Sequence, residues 1–179
     1  DLRRIASRIR HGKDVLDLAD SLTESLERYE RSYATGNDTL DMILTDEHLR
    51  LYREGVSFVC MVDGSALGFL SSLDIISVFS NALDNALEAV TALPKEEREI
   101  RMTVKKAIGT LSICVENPYA AKLEIVNGIP ATTKSDRRFH GFGMRSIQST
   151  VEKYSGTMDI DTKEGRFKLM IMIPIPDVT

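Results

Sequence analysis

The sequence predicts an α+β domain, a two-layer sandwich in which helices cover one face of a mixed sheet, preceded by a helical hairpin. Two kinds of pattern support this fold class. Apolar residues recur every three or four positions in some segments, which indicates helices, and alternate or run together in others, which indicates strands. The elements follow in the order α–β–α–β–β–loop–α–β–β, which suits a layer of helices on one sheet.

Residues 1–34 have the pattern of a helical hairpin. An apolar stripe restarts after His11-Gly12 with alternating four- and three-residue spacing, at Val15, Ala19, Leu22, Leu26, Tyr29 and Tyr33. Such a regular seam favours a partner helix, so we expect this segment to be part of a dimerisation region that forms a homodimer. The alternative is an ordinary amphipathic helix that packs on its own domain.

The turn cluster Thr35-Gly36-Asn37-Asp38 marks the expected start of a second domain, residues 35–179. A helical pattern begins near Leu40 and ends near Gly55, and the segment VSFVCMV then predicts a strand that closes at Asp63-Gly64. A long helix should run from Ser72 to Leu93, because Pro94 cannot continue it.

The second half of this domain predicts two hairpins that flank a loop and a helix. The segments EIRMTVKKA and TLSICVEN form the first hairpin, and residues 118–140 have the character of a long loop. A helix begins near Gly143 and is capped by Gly156. The segments TMDIDT and FKLMIMIPI then form the terminal hairpin.

Composition excludes several classes of function. The 179 residues carry a net charge of −4, so the chain has no global attraction to nucleic acid, and we expect no nucleic-acid partner. Cys60 and Cys114 have neither disulfide-framework nor zinc-site spacing, and are expected to be free thiols in a reducing cytosol. No apolar run reaches the roughly 20 residues of a membrane-spanning helix. The chain opens on Asp1, so we expect an excised piece, linked to a membrane only through missing upstream segments.

The long helix carries the segment SNALDNALEAV, in which Asn81 and Asn85 lie one turn apart with Asp84 and Glu88 on the same stripe. A solvated helix face is the simpler interpretation. Asparagine is nevertheless a poor residue for the middle of a helix. Two amide oxygens on one face are ligands of the kind that Mg²⁺ accepts.

Two further motifs follow along the chain. In FHGFGMRSIQ, Gly141 and Gly143 lead straight into a helix, whose free N–H groups can bind phosphate. The preceding loop is basic and includes Lys134 and His140. In CVENPY, a strand ends at Asn117 because Pro118 blocks the ladder, so Asn117 can face a pocket and contact a base edge. Each motif alone could be a plain turn or a solvated loop.

Taken in order, these motifs resemble the Bergerat-type ATP-binding fold (the GHKL superfamily) shared by histidine kinases, gyrase, the mismatch-repair ATPase and the heat-shock chaperone. NALDNALEA and TKSDRRFHGFGM resemble the AgrC-like quorum-sensing branch of the histidine kinases, as does TGNDTLDMIL ahead of them. The likeness covers roughly residues 35–174.

The resemblance implies roles for individual residues. It implies that Asn85 coordinates Mg²⁺ and that Asn81 lies beside it near the phosphates of ATP. It implies a second glycine box that contains Gly141 and Gly143 and a lid that contains Lys134 and His140. The nucleotide-binding residues would then be Asn81, Asn85, Asn117, Lys134, His140, Gly141, Phe142, Gly143 and Met144.

The sequence departs from this family where most members have an aspartate that accepts a hydrogen bond from the adenine amino group. Strand register puts Asn117 at that position, and Pro118 and Tyr119 replace the glycines that follow. The first glycine box is therefore degenerate, which puts affinity and base selectivity in question.

The resemblance implies the catalytic domain of a two-component sensor histidine kinase, the cytoplasmic portion of a membrane-bound bacterial receptor. It would transfer the γ-phosphoryl group of Mg-ATP to a histidine, and thence to a response regulator. One alternative is a hydrolysing ATPase of the same fold, which Asn81 disfavours because an amide cannot take a proton from water. Another is a non-catalytic module for nucleotide binding or dimerisation.

His11 is the visible candidate phosphoacceptor, but the residues after it match the AgrC-like pattern poorly. Gly12 interrupts the apolar stripe, so we expect His11 in the turn of the hairpin and the acceptor histidine upstream.

Overall fold

The structure, a computed structural model, describes residues 33–119, 125–126, 129–130 and 142–176, with backbone alone for the two short segments. Residues 1–32 of the expected hairpin, including His11, lie outside the described residues, as do Lys134, His140 and Gly141. The helices are α1 (Asp38–Arg53), α2 (Ser72–Thr91) and α3 (Phe142–Lys153). The strands are β1 (Ser57–Val62), β2 (Glu99–Ala107), β3 (Thr110–Pro118), β4 (Ile125–Val126), β5 (Ile129–Pro130), β6 (Thr157–Asp161) and β7 (Arg166–Pro174).

Five strands form a mixed sheet in the order β1-β2-β3-β7-β6. β1 and β2 are parallel, and every other neighbouring pair is antiparallel. The parallel pair is possible because α2 lies between β1 and β2 in the chain and supplies the long crossover connection that parallel strands need. The predicted α+β fold class is therefore confirmed, with the helices on one face of an open sheet.

The sheet buries one face by strict alternation along its central strands. The register aligns Met102 of β2 with Val115 of β3 and Leu169 of β7, and all three side chains are buried. The residues between them lie on the opposite, more exposed face. Because period-two alternation assigns each side chain to a face, this register orients the inner residues of β3 towards the helices.

Helix α2 is the centre of the helical layer and contacts α1, α3, β2 and β3. It begins at the N-cap Ser71, whose side chain accepts a hydrogen bond from the Asp74 amide. Its buried stripe contains Ile75, Val78, Phe79, Ala82, Leu83, Ala86, Leu87 and Val90. The polar residues of α2 are therefore confined to the faces that point away from the sheet.

The segment before α1 is tied closely to the domain. The Thr35 carbonyl accepts a hydrogen bond from Gly64 N–H, and the Asp41 carboxylate accepts bonds from the Thr35 amide and hydroxyl. A methyl group on Gly64 would lie 2.2 Å from Thr35 Oγ1, so only glycine allows this approach. Asn37 caps α1 through its side chain.

The two edges of the sheet differ in character. β1 forms one edge and exposes the apolar side chains of Val59 and Met61, without a charged residue in the strand. β6 forms the other edge and carries Asp159 and Asp161.

The predicted element order matches the described part of the chain, with one difference. The segment predicted as a long loop contains the short antiparallel pair β4 and β5. Two-residue strands are too short to leave a periodic apolar signal, which explains the difference. No described helix has the length and apolar character needed to cross a bilayer.

Candidate functional site

Asn81 and Asn85 lie on one side of α2, half-buried between the core and solvent. The Asn81 side-chain N–H₂ donates to the Ser77 carbonyl at 2.6 Å. This bond one turn back along the helix holds the amide in one orientation, with its oxygen available on the other side.

Gly143, in the first turn of α3, packs against these two amides. A methyl group at Gly143 would lie 3.0 Å from Asn81 Oδ1 and 3.5 Å from Asn85 Nδ2. Its backbone φ is not in the left-handed region, so it is the space that calls for glycine here. The structure therefore brings three of the sequence-predicted site residues, Asn81, Asn85 and Gly143, into direct proximity.

A cleft of about 460 Å³ opens beside this group, within the range of ligand-binding clefts. It is lined by all three helices. Its lining residues are Arg50 from α1, Glu54 that caps α1, Gly143 from α3, and Asn81, Asp84, Asn85, Leu87, Glu88 and Thr91 from α2.

Two buried side-chain atoms of the described residues lack hydrogen-bond partners, and both belong to predicted site residues. They are Nδ2 of Asn85, a residue that lines the cleft, and Oδ1 of Asn117. A buried polar atom without a partner costs free energy, of order 1–3 kcal/mol for a typical group. Each such atom calls for an explanation, and a water, an ion or a ligand that supplies the missing partner is one.

Asn117 is fully buried near the end of β3 and lies on the side of the strand that faces the helices. Its Nδ2 donates to the Pro118 carbonyl at 2.9 Å, which leaves Oδ1 as the free acceptor. β3 extends one residue beyond the predicted end, because Pro118 is still paired with Arg166 of β7. Asn117 is not among the described residues that line the cleft.

A charged cluster bridges α1 and α2 at the cleft. Arg50 Nη1 donates to Asp84 Oδ1 at 2.5 Å and lies 3.4 Å from both carboxylate oxygens of Glu47. Burial raises the pKa of Glu47, and Arg50 opposes that effect. The side chains of Arg50 and Asp84 are each about half exposed, at 50% and 51%.

A second polar cluster lies at the N-terminus of α2, away from the cleft cluster in the middle of that helix. Asp74 Oδ2 accepts hydrogen bonds from the Ser71 hydroxyl, the Tyr154 hydroxyl and the Lys153 ammonium at 2.5, 2.6 and 2.7 Å. The Lys153 ammonium, with help from Ser71 and Tyr154, lowers the pKa of Asp74 to about 2. This cluster ties the beginning of α2 to the end of α3.

The remaining predicted site residues have different surroundings. Phe142 is 67% exposed at the start of α3, and Met144 is buried in the hydrophobic core. Among the described residues, no group of three or more histidine, cysteine and acidic side chains could hold a metal ion.

The sequence interpretation missed Arg50 and Glu54 as cleft residues. Both lie at the C-terminal end of α1, where a basic residue such as Arg50 is ordinary because it complements the helix dipole, and where Glu54 is an exposed C-cap residue. Nothing in the spacing of α1 indicates that its last turns meet the asparagine face of α2. Only the packing of the two helices reveals it.

Comparison with known proteins identifies relatives. The protein family described as a GHKL domain matches residues 70–174. The catalytic domain of the histidine kinase ThkA, in a nucleotide-free form, is 17% identical with a TM-score of 0.59, covering 79% of this chain and 93% of that one. The Acinetobacter baumannii histidine kinase AdeS is 12% identical with a TM-score of 0.53, covering 99% of this chain and 86% of that one. No curated protein sequence matches the chain.

Proposed function

The chain belongs to the GHKL domain family, and from this premise we propose that it is the ATP-binding catalytic domain of a two-component sensor histidine kinase. The observation that carries the proposal is Asn85, which lines the cleft with Asn81 and Gly143 and whose buried side-chain N–H₂ has no partner among the described residues. A solvated helix face, the simpler interpretation of the two asparagines, does not explain a buried, unpaired amide.

The chain's own residues suit a nucleoside triphosphate. The first turn of α3 has backbone N–H groups without helical partners, which can donate to phosphate oxygens beside Asn81 and Asn85. Lys134, His140 and Gly141 belong to the same proposed site as lid and glycine-box residues, and Phe142 and Met144 continue it into α3.

Asn117 is proposed as the base-reading residue. Because its N–H₂ is engaged by Pro118, the amide presents an acceptor, which complements the amino group of adenine. In this orientation the asparagine would offer the base the same kind of group, an acceptor, as the aspartate found in most members of the family.

Mg²⁺ fits the donor set, because the amides of Asn81 and Asn85 that line the cleft carry neutral oxygens of the kind that this ion binds. When bound, the ion would neutralise charge on the phosphates. Asn81 would keep its place beside the phosphates through its bond to the Ser77 carbonyl.

The proposed reaction is phosphoryl transfer. The bond from the γ-phosphorus to the bridging oxygen of ATP breaks, a phosphorus–nitrogen bond forms to a histidine, and the histidine proton is released. Such a transfer depends on positioning and charge neutralisation. Asn81 is an amide that cannot accept a proton from water, so ATP hydrolysis by this domain should be slow, and this disfavours the hydrolysing ATPase.

The wider setting is part of the same proposal. We assign the chain to the AgrC-like quorum-sensing branch, with residues 1–34 as part of a homodimerisation hairpin, residues 35–179 as the catalytic domain and a response regulator as the final acceptor. The whole receptor is then membrane-bound, with this portion in the cytoplasm. The acceptor histidine lies upstream, and His11 is the alternative acceptor within the chain.

Calorimetric titration with Mg-ATP tests the proposal. The unmodified protein should bind, and Asn85→Ala should lose magnesium-dependent binding because it removes the proposed metal ligand. Its thermal unfolding should change little, since Asn85 Nδ2 makes no hydrogen bond to the described part of the chain. Gln148→Ala is the matched control: it removes an amide of α3 whose one bond to the described residues is to Glu152 at the surface.

Two results would contradict the proposal. Binding of Mg-ATP by Asn85→Ala as tightly as by the unmodified protein means that the site lies elsewhere. No binding by the unmodified protein favours the non-catalytic dimerisation module instead.

A further inference from the structure

Arg50 is the one cation among the described residues that line the cleft. The other charged lining residues, Glu54, Asp84 and Glu88, are acidic. An anionic ligand in this cleft therefore meets net negative charge from the described side chains. The position of Arg50 decides how strongly that charge opposes binding.

The hydrogen bonds of Arg50 use only a small part of its guanidinium. Nη1 makes every described hydrogen bond of this side chain, to Asp84 and to Glu47. Nε and Nη2 have no partner among the described residues. A guanidinium can grip a phosphate through two parallel N–H groups, so the unused donors are those that a phosphate would engage.

The contact with Asp84 is also easily exchanged. Both side chains are about half exposed, and ion pairs in such positions contribute little because water and salt screen them. Glu47 is closer to the core, with a side chain 14% exposed, but it lies at 3.4 Å from Arg50. These two contacts keep the guanidinium at the cleft, and they are weak enough for a ligand to replace the contact with Asp84.

We propose that Arg50 binds the terminal phosphate of the nucleotide by leaving Asp84, so that Asp84 competes with the ligand for the same guanidinium. Arg50 is then the residue that distinguishes nucleotides by their number of phosphates. This inference rests on the proposed function and adds to it a specificity-determining residue on α1. The opposing interpretation is that Arg50 and Asp84 are a purely structural link between α1 and α2.

The two interpretations predict different signs for the two substitutions. If Asp84 competes with the ligand, Asp84→Ala frees Arg50 and affinity for Mg-ATP rises, by about three-fold for an exposed pair. If the pair is only structural, Asp84→Ala and Arg50→Ala both lower thermal stability and affect every nucleotide alike.

The experiment titrates the full chain with Mg-ATP, Mg-ADP and AMP. Arg50→Ala should weaken Mg-ATP binding by about ten-fold or more, as for the loss of a charge-assisted hydrogen bond, and leave AMP binding unchanged. Arg50→Lys should give an intermediate Mg-ATP affinity, because lysine keeps the positive charge but lacks the two parallel N–H donors of the guanidinium. The control is Arg101→Ala, which removes a similarly exposed arginine paired with Glu99.

The outcomes separate this inference from the proposed function. If the unmodified protein binds Mg-ATP but Arg50→Ala binds it equally well, or loses ATP and AMP in equal measure, Arg50 is not the phosphate reader and only the inference falls. If the unmodified protein binds none of the three nucleotides, the proposed function fails and the inference fails with it.

Discussion

The two polar clusters on α2 are built from similar side chains but differ in how completely those side chains are paired. At the N-terminus, Asp74 receives three side-chain donors on one oxygen, and Ser71 closes the cap. In the middle, Asn85 leaves a buried donor unpaired, and Arg50 leaves most of its donors unused by the described residues.

Because of this difference, we expect the cluster at the N-terminus of α2 to contribute to stability and the groups in the middle of α2 to contribute to ligand binding. A satisfied polar cluster between two elements holds them in one arrangement, whereas an unsatisfied one has free groups for a ligand. Substitutions at the N-terminus of α2 should therefore change the free energy of unfolding and spare binding. Substitutions in the middle should do the reverse.

The largest expected effect is on stability. Asp74→Ala removes the acceptor of three hydrogen bonds and should lower the free energy of unfolding by about 2 kcal/mol, measured by urea denaturation. Affinity for Mg-ATP should stay unchanged. Asp159→Ala, at an exposed position on β6, is the control and should have no effect on either. If Asp74→Ala binds Mg-ATP more weakly than the unmodified protein, the N-terminal cluster is not purely structural and the two clusters do not differ in role.

The same carboxyl gives a pH signature. Its pKa is about 2 in the folded protein, below the ordinary value of 3.8, so the folded state binds the proton less readily than the unfolded chain. The stability contributed by Asp74 is therefore fully present above about pH 4 and is lost as pH falls towards 2. In Asp74→Ala, the free energy of unfolding should therefore depend less on pH between about 4 and 2. If it falls with pH in this range as steeply as in the unmodified protein, the lowered pKa does not belong to Asp74.

An intermediate effect is expected at Gly143. Gly143→Ala introduces a methyl group 3.0 Å from Asn81 Oδ1 and should displace the two amides, weakening Mg-ATP binding by about ten-fold. The free energy of unfolding should change by less than about 1 kcal/mol, because the higher helix propensity of alanine offsets the close approach of its methyl group to Asn81. Gly68→Ala is the control, because its added methyl would lie 3.7 Å from its nearest neighbour. Unchanged affinity in Gly143→Ala would remove Gly143 from the site.

The smallest effect concerns base selectivity. Asn117→Asp keeps an acceptor and strengthens it, so the preference for ATP over GTP should sharpen by less than about ten-fold in competition titrations. Stability should fall, because the Pro118 carbonyl loses its donor and a carboxylate is fully buried. An unchanged ATP-to-GTP ratio would count against Asn117 as the base reader.

Much of the fold could be predicted because its signals are local. The apolar stripe of α2, the stop at Pro94 and the alternation in β2 and β3 each depend on residues close together in the sequence. The parallel pairing of β1 with β2 could not be read in this way, because pairing between distant strands leaves no periodic trace in either one.

The candidate site divides in the same way. Asn81 and Asn85 could be singled out because asparagine is unusual in the middle of a helix. Arg50 could not, because a basic residue near the end of a helix needs no special explanation. The amide orientations of Asn81 and Asn117 depend on the Ser77 and Pro118 carbonyls, and only the folded geometry reveals those contacts.

The unequal edges of the sheet have a consequence for the behaviour of the protein in concentrated solution. β1 is an uncharged edge strand with Val59 and Met61 exposed, whereas two aspartates protect β6. Uncharged edges of this kind act as templates for pairing with strands from other molecules. Self-association should therefore begin at β1, and a lysine in place of Met61 should raise the concentration at which the protein precipitates.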